Sequence, residues 1–235
     1  MLDNFISEPF LGFSKESLEF FAKLKILKYN NKTWFDRNRN IYEDYLKSPM
    51  RSLLDSITPE LQKYDSRIVV SYKSIFRINR DIRFKKDKTP YKNHYGAAFT
   101  YDKIKTPEVP QFYFHLSSDE FLFASGQYST DNAIIKNIRS RIFTDKDEFL
   151  SIIQERLFKK SFGEVKGDKL LKIPAEYRNK EVDGISEYLK MKQFYVFRTY
   201  DPEVALTGDL SDIIIENIKI TGEFNKFLYD SLKHK

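Results

Sequence analysis

The sequence contains no cysteine, and this absence excludes three kinds of chemistry at once. Disulfide bonds, zinc sites built on thiolates and cysteine nucleophiles are all ruled out. Histidine is scarce too, with three residues, so a histidine-rich metal centre is not expected. No spacing of acidic residues calls for a metal site, so we expect neither a metal nor a cofactor, while the plentiful Asp and Glu leave a carboxylate-bound metal open.

Glycine and proline are also few, with eight of each among 235 residues. Such a chain has few tight loops and lies mostly in regular structure. A chain of this length buries roughly 70–75% of its unfolded surface, so it can fold without disulfides or a metal. The sequence has no internal repeat, low-complexity tract or linker, which predicts a single domain over residues 1–235.

Long apolar runs and targeting signals are missing as well. Runs such as 213–215 fall far short of the ~20 residues that span a bilayer. Residues 1–13 carry acidic side chains and lack the basic start of a signal peptide. These features predict a cytoplasmic protein with no membrane partner. The net charge of +6 is modest and does not by itself indicate a nucleic-acid-binding protein.

Aromatic residues are plentiful, with 21 Phe and 15 Tyr, which predicts a core of large side chains. Helical spacing of apolar residues recurs between residues 14 and 64, and again over 130–158 and 209–232. Segments rich in β-branched and aromatic residues predict strands at 67–72, 74–78, 95–101, 111–116, 120–125, 170–173 and 193–200. The order predicts an α+β fold: an antiparallel sheet of about five to seven strands flanked by N-terminal and C-terminal helices.

Residues 76–95, which we call the basic segment, concentrate the positive charge. Seven Lys and Arg residues stand against two Asp, a net charge of +5 within a chain of +6. The planar fork of arginine can hold a phosphate or carboxylate through two parallel hydrogen bonds. Pro90 restricts the backbone and biases Thr89 towards an extended conformation. The segment therefore predicts a defined anion site, although its charges also suit a solvated loop held by surface ion pairs.

The candidate anion-binding residues are Arg77, Arg80, Arg83, Lys88, Lys92 and Arg139. The residues expected to support them are Asp81, Asp87, Asn31 and Trp34. Tyr91 and His94 are the candidates for moving protons, since histidine titrates near pH ~6.5. Trp34 also suits a packing role at the turn between the first two helices, and the Asn pair before it suits a helix stop. His115, mid-strand among aromatic residues, is expected to be a packed core histidine.

Several motifs resemble one known family. The pattern R-D-x-R-F-x-x-D-K-T-P-Y-K at 80–92 is similar to the hallmark of a bacterial and fungal family catalogued as a domain of unknown function, DUF2461. N-N-x-x-W-F at 30–35, G-A-A-F at 96–99 and S-G-Q-Y at 125–128 resemble further parts of it in the same order. The resemblance covers about residues 5–230 and implies one domain. It carries over no activity.

Three functions from different classes fit the basic segment. The first is an anion site that binds a phosphate- or carboxylate-bearing small molecule, or acts on it as an enzyme. The second is a nucleic-acid surface on which Phe84, Tyr91 or Tyr95 stacks on bases. The third is a non-catalytic interaction module whose basic loop pairs with an acidic protein. The ordered, aromatic-flanked charge favours the first and leaves the choice between enzyme and binder open, together with the oligomeric state.

Overall fold

The computed structural model describes residues 9–102 and 108–233, and it confirms the predicted α+β class. The N-terminal part is helical. Its elements are α1 (Lys15–Leu24), α2 (Lys32–Arg37), α3 (Arg39–Tyr42), a π-helical turn (Glu43–Lys47) and α4 (Ser48–Tyr64). Apolar side chains at helical spacing in α4, including Leu53, Leu54, Ile57 and Leu61, are buried, because this stripe faces the core.

An antiparallel sheet of five strands follows, within the predicted range. The strands are β1 (Ile68–Val69), β2 (His94–Tyr101), β3 (Gln111–Ser117), β4 (Phe121–Gln127) and β5 (Phe194–Tyr200). Their order in the sheet is their order in the chain, so each strand pairs with its neighbour in sequence.

Further helices lie between β4 and β5 and after β5. They are α5 (Asn132–Thr144), α6 (Lys146–Gln154), α7 (Arg156–Phe162), α8 (Ser186–Leu189) and α9 (Leu210–Asp230). The long helix α9 packs on the sheet, and Asn225 donates to the Ser125 hydroxyl at 2.9 Å. Ser125 therefore marks the helix-covered face of the sheet.

The strands alternate between two faces, as the two-residue period requires. On the covered face, Ala97 pairs with Phe114, which pairs with Phe123, and all three are buried. On the opposite face, Gly96 pairs with His115, which pairs with Leu122. The buried apolar side chains of helices and sheet form one hydrophobic core. No helix within the described ranges is both long and apolar enough to cross a membrane.

Two predicted strand regions differ from the structure. In the stretch expected to form strands at 67–72 and 74–78, only β1 and a single bridge from Ile75 to Ala97 form. A 3₁₀ turn interrupts the stretch, because the Ser71 hydroxyl accepts from the backbone of Lys73. Residues 170–173 are irregular, since the backbone of Leu170 donates to the Lys190 carbonyl rather than to a strand.

Two helical predictions also differ. The helix expected to start at Thr144 and run to 158 is divided at Glu155, whose extended backbone ends α6 and whose carboxylate caps α7 at the amide of Phe158. Conversely, Gly222 does not interrupt α9. The ring of Tyr64 lies against it so closely that a β-carbon there would be 2.0 Å from the phenol oxygen. A local cap therefore decides the first case, and tertiary packing decides the second.

Candidate functional site

The basic segment folds back on itself as a short arm. The amide of Arg80 donates to the Pro90 carbonyl, and that of Lys92 to the Ile78 carbonyl, both at 2.8 Å. Buried Asn30 holds the base of the arm: it accepts from the Tyr91 amide at 3.0 Å and donates to the Tyr91 carbonyl at 2.9 Å. The arm is therefore an ordered part of the fold.

Tyr91 packs at this base, together with Asn31 and Trp34, two of the four residues expected to support the site. The Tyr91 ring is buried and stacks on Phe35 with 4.0 Å between centroids, and burial raises the pKa of its phenol. Trp34 packs between Phe20 and a neighbouring tyrosine. Asn31 accepts from the Trp34 amide at 3.0 Å and thereby caps α2. These contacts orient the helices, and the ligand roles predicted for these residues stay predictions.

At the tip of the arm the charges pair with one another. Arg83 makes two hydrogen bonds to Asp81, at 2.7 and 3.0 Å. Arg80 binds Asp87 and Thr89. The Thr89 amide, followed by Arg80, lowers the pKa of Asp87 to about 2. Such exposed pairs contribute little stability, so their effect is to set the loop's shape.

The remaining predicted cations lie in different settings. Lys88 donates to the Ile82 carbonyl at 3.0 Å and closes the tip. Arg139, in α5, donates twice to the Met191 carbonyl, at 2.6 and 3.2 Å. The guanidinium of the exposed Arg77 makes no hydrogen bond or ion pair with any residue in 9–102 or 108–233. The arginines spaced three apart therefore do not converge on one pocket.

A cavity lies on the sheet face opposite α9, and we call it the aromatic groove. It has a volume of about 650 Å³. Its lining side chains come from β3, β4, β5 and the loops beside them, and include Phe76, Tyr113, His115, Leu122, Ala124, Tyr128, Tyr195 and Phe197. The small side chain of Ala124 pairs across the sheet with both Tyr113 and Phe197, which leaves room between aromatic walls.

Two glycines let backbone approach closely around the groove. Gly126 has φ +125°, and a β-carbon there would lie 2.1 Å from the Phe194 carbonyl oxygen. At Gly96 a β-carbon would lie 2.1 Å from the Phe114 carbonyl oxygen and 2.7 Å from Cβ of His115. Only glycine therefore permits the observed approach of β2 to β3 beside His115.

One end of the groove is polar. The Tyr113 phenol oxygen lies 3.0 Å from Nδ1 of His115, and Nε2 of the same ring lies 3.6 Å from the Glu120 carboxylate. The rings of His94 and His115 are 4.8 Å apart. Burial, followed by the neighbouring His94, lowers the pKa of His115 to about 4. Burial raises the pKa of Tyr113 to about 12. Both side chains are thus neutral at pH 7.

The polar end adjoins the arm through a smaller cavity of about 160 Å³, lined by Phe76, Arg77, Lys92, His94 and Tyr113. Phe76 and Tyr113 line both cavities. The Lys92 ammonium donates to the Arg77 carbonyl at 2.8 Å and lies 5.4 Å from the Phe76 ring centroid. Burial lowers the pKa of Lys92, and burial together with Lys92 lowers that of His94. A third cavity, lined by Arg80, Lys92 and His94 among others, lies beyond.

The comparison with protein families identifies the chain. A family model matches residues 16–227. The chain belongs to the family described as Conserved hypothetical protein (DUF2461). The resemblance read from the motifs is thereby confirmed at the level of the family, and the matched range contains the arm, the groove and both histidines of its polar end. A search of curated proteins found no match.

In this member of the DUF2461 family, sequence reasoning missed the groove and selected only its border residues, Arg77, Lys92 and His94. The groove could have been predicted from the alternation of side chains along β3 and β5. A half-exposed sheet normally presents polar side chains on its second face, yet Tyr113, His115, Tyr195 and Phe197 occupy that face here. In the described part of the chain, no three His, Asp or Glu side chains are grouped so that they can hold a metal ion.

Proposed function

We propose that this protein binds a small organic molecule with a flat apolar part and one anionic group. The apolar part lies in the aromatic groove, and the anion meets Arg77 and Lys92. One observation carries the proposal: Phe76 and Tyr113 line both the groove and the cavity that these two cations border. A single ligand is thus able to contact both.

The groove supports the apolar half of the ligand. Its volume of about 650 Å³ lies within the ~300–1,000 Å³ that is typical of small-molecule sites. Aromatic side chains such as Phe76, Tyr195 and Phe197 favour a ring system, because offset or edge-on ring contacts contribute beyond buried area. The few polar groups are gathered at one end, as in sites that orient a ligand.

The two cations support the anionic half. The Arg77 guanidinium has no hydrogen-bond or ion-pair partner among the residues described, so its donors remain available for a carboxylate or phosphate. Lys92 is half-buried, and desolvation lowers its pKa, so a bound anion would stabilise its charged form. Arg80 and Arg83 form ion pairs with Asp87 and Asp81, so fewer of their donors are available to a ligand.

A thermal-shift panel of aryl carboxylates and aryl phosphates, each matched with its neutral amide or ester, tests this function. We expect anionic members to raise the melting temperature, since ligand at 100 times Kd stabilises by ~2.7 kcal/mol. The double variant Arg77→Gln, Lys92→Met should weaken their binding by roughly 100-fold or more, because each hydrogen bond to a charged group contributes ~1.5–3 kcal/mol and the variant removes two donors.

The matched control is Lys85→Gln, Lys86→Gln, which removes two exposed charges from the arm's tip and leaves the groove unchanged. An equal loss of affinity in both double variants would indicate general electrostatic attraction and contradict the proposed site. Equal binding of the neutral analogues would contradict the anion contact. A panel without any stabilising compound would reject the function as stated.

A second candidate, binding of single-stranded nucleic acid, is favoured by one feature of the tip. The Phe84 side chain is 93% exposed, and the Arg83 guanidinium lies 5.9 Å from its ring centroid. Exposed Lys85 and Lys86 follow it in the chain. An exposed ring among cations is the arrangement on which unpaired bases stack while backbone phosphates are neutralised.

A further inference from the structure

We propose that Tyr113, His115 and Glu120 form a proton relay that makes Tyr113 a base-assisted nucleophile at the polar end of the aromatic groove. The ligand class is an aromatic compound carrying an electrophilic acyl or sulfonyl centre. The inference rests on the proposed function in one respect, namely that the groove admits a flat apolar molecule.

The contacts define the direction of the relay. Because Nε2 of His115 faces the Glu120 carboxylate at 3.6 Å, we assign the ring proton to that nitrogen. Nδ1 is then free to accept from the Tyr113 hydroxyl, 3.0 Å away. When Tyr113 loses its proton to Nδ1, the resulting imidazolium faces a carboxylate that stabilises it. This is the logic of a nucleophile, a base and an orienting acid.

The surroundings keep His115 neutral, so that Nδ1 is able to accept a proton. The His115 side chain is only 14% exposed, and it faces the His94 ring, Tyr113, Glu120 and the cross-strand Leu122. Its pKa of about 4 keeps it neutral at pH 7.

Tyr113 also has access to the ligand. It lines both the groove and the cavity that borders Arg77 and Lys92, and Phe76 holds its ring edge-on at 5.8 Å between centroids. Two other groove tyrosines, Tyr128 and Tyr195, make an edge-on pair with each other. Neither hydroxyl bonds to a histidine in the described ranges, so they serve as internal controls.

Benzenesulfonyl fluoride is a suitable probe, because its ring fits an aromatic groove and it carries no charge. In the reaction the Tyr113 oxygen forms a bond to sulfur and the sulfur–fluorine bond breaks. The phenol proton passes to Nδ1 of His115 and then leaves with fluoride. Atoms and charges balance without any further reactant.

The experiment follows labelling of the full chain by peptide mass spectrometry over time. We expect Tyr113 to be labelled at least tenfold faster than Tyr128 or Tyr195, since general-base assistance contributes typically 10²–10⁴-fold. His115→Gln should slow labelling of Tyr113 at least tenfold and leave Tyr195 unchanged. Glu120→Gln should slow it less, and Tyr113→Phe should remove it. The tip variant Lys85→Gln, Lys86→Gln should label as the parent protein does.

Equal labelling of the three tyrosines, or an undiminished rate in His115→Gln, would overturn the relay. Should His115→Gln fail to fold, ¹⁵N NMR of the imidazoles in the parent chain decides, because the relay requires the Nε2–H tautomer of neutral His115 at pH 7. Selective labelling without any hit in the anionic panel would keep the relay and reject the proposed function. Stabilisation by anionic compounds without selective labelling of Tyr113 would support the proposed function and reject the relay.

Discussion

At the scale of single residues, the adjacent Asn30 and Asn31 show how burial separates two identical side chains. Asn30 is buried and bridges the end of α1 to the arm, donating to the Leu24 carbonyl at 2.7 Å and binding both backbone groups of Tyr91. Asn31 is partly exposed and caps α2 through the amide of Trp34. From the sequence, both residues are predicted to end a helix, because the neighbouring residues do not indicate which of the two is buried.

The two asparagines should therefore differ in their effect on stability. Asn30→Ala leaves buried backbone groups of Leu24 and Tyr91 unpaired, at ~1–3 kcal/mol per group, so we expect a total loss of about 3 kcal/mol. Asn31→Ala removes an N-cap and should cost about 1 kcal/mol. Urea unfolding of both variants measures the difference. Equal losses would show that Asn30 does not anchor the arm.

At the scale of elements, the pairing of β2 with β3 brings two histidines together that are 21 positions apart in the chain. His94 and His115 are both largely buried with lowered pKa values, so folding disfavours their protonation. At pH values between the lowered pKa of the folded state and the ordinary pKa of the unfolded state, such a histidine is protonated in the unfolded chain and neutral in the folded one. Stability is then fully present above the unfolded pKa and is lost as the pH falls.

For His115, this window runs from about pH 6.5 down to about 4. One pKa unit corresponds to ~1.36 kcal/mol, so the free energy of unfolding should fall by about 3 kcal/mol across it. His115→Gln should flatten most of this dependence, leaving the part due to His94. Denaturant unfolding at half-unit pH steps is the measurement. Asp87, whose pKa is lowered to about 2, affects stability only at lower pH. If His115→Gln shows the same dependence of unfolding free energy on pH as the parent protein, His115 is not a buried neutral histidine.

At the scale of the whole molecule, the arm carries +5 of the net +6, yet Arg80 and Arg83 are neutralised locally. The cations that contribute to the field around the protein are therefore a smaller set, at the tip of the arm and at Arg77. The long-range field of the protein is therefore weaker than its composition suggests, and this bears on the nucleic-acid alternative.

Salt dependence measures that field directly. If about three cations contact phosphates, binding of a single-stranded oligonucleotide should show a log–log affinity slope of about −2, at ~0.7 per contact. Lys85→Gln, Lys86→Gln should reduce the slope by about 1.4. Fluorescence anisotropy at several salt concentrations provides both values. No binding at low salt would reject the nucleic-acid function and leave the groove proposal untouched.

The sequence by itself determined the α+β class, the antiparallel sheet and, within one or two residues, the strands that became β2 to β5, because alternation and turn residues are local properties. The family resemblance was equally readable from ordered motifs. Strand 67–72 shrank to two residues and the helix expected to run to 158 was divided, because Ser71 and Glu155 make local hydrogen bonds that compete with the regular pattern.

Only the tertiary structure decided what the charges and aromatic rings do. Arg80 and Arg83 are paired within the arm, Arg77 is left available beside Lys92, and His115 lines a groove instead of packing in the core. The arginine pairs form within the folded arm, whereas the groove around His115 depends on partners that are distant in sequence, such as Gly96 against His115 or Phe76 against Tyr113. Contacts between residues so far apart in the chain are set by the sheet register and by side-chain packing. Neither can be predicted from a local sequence pattern.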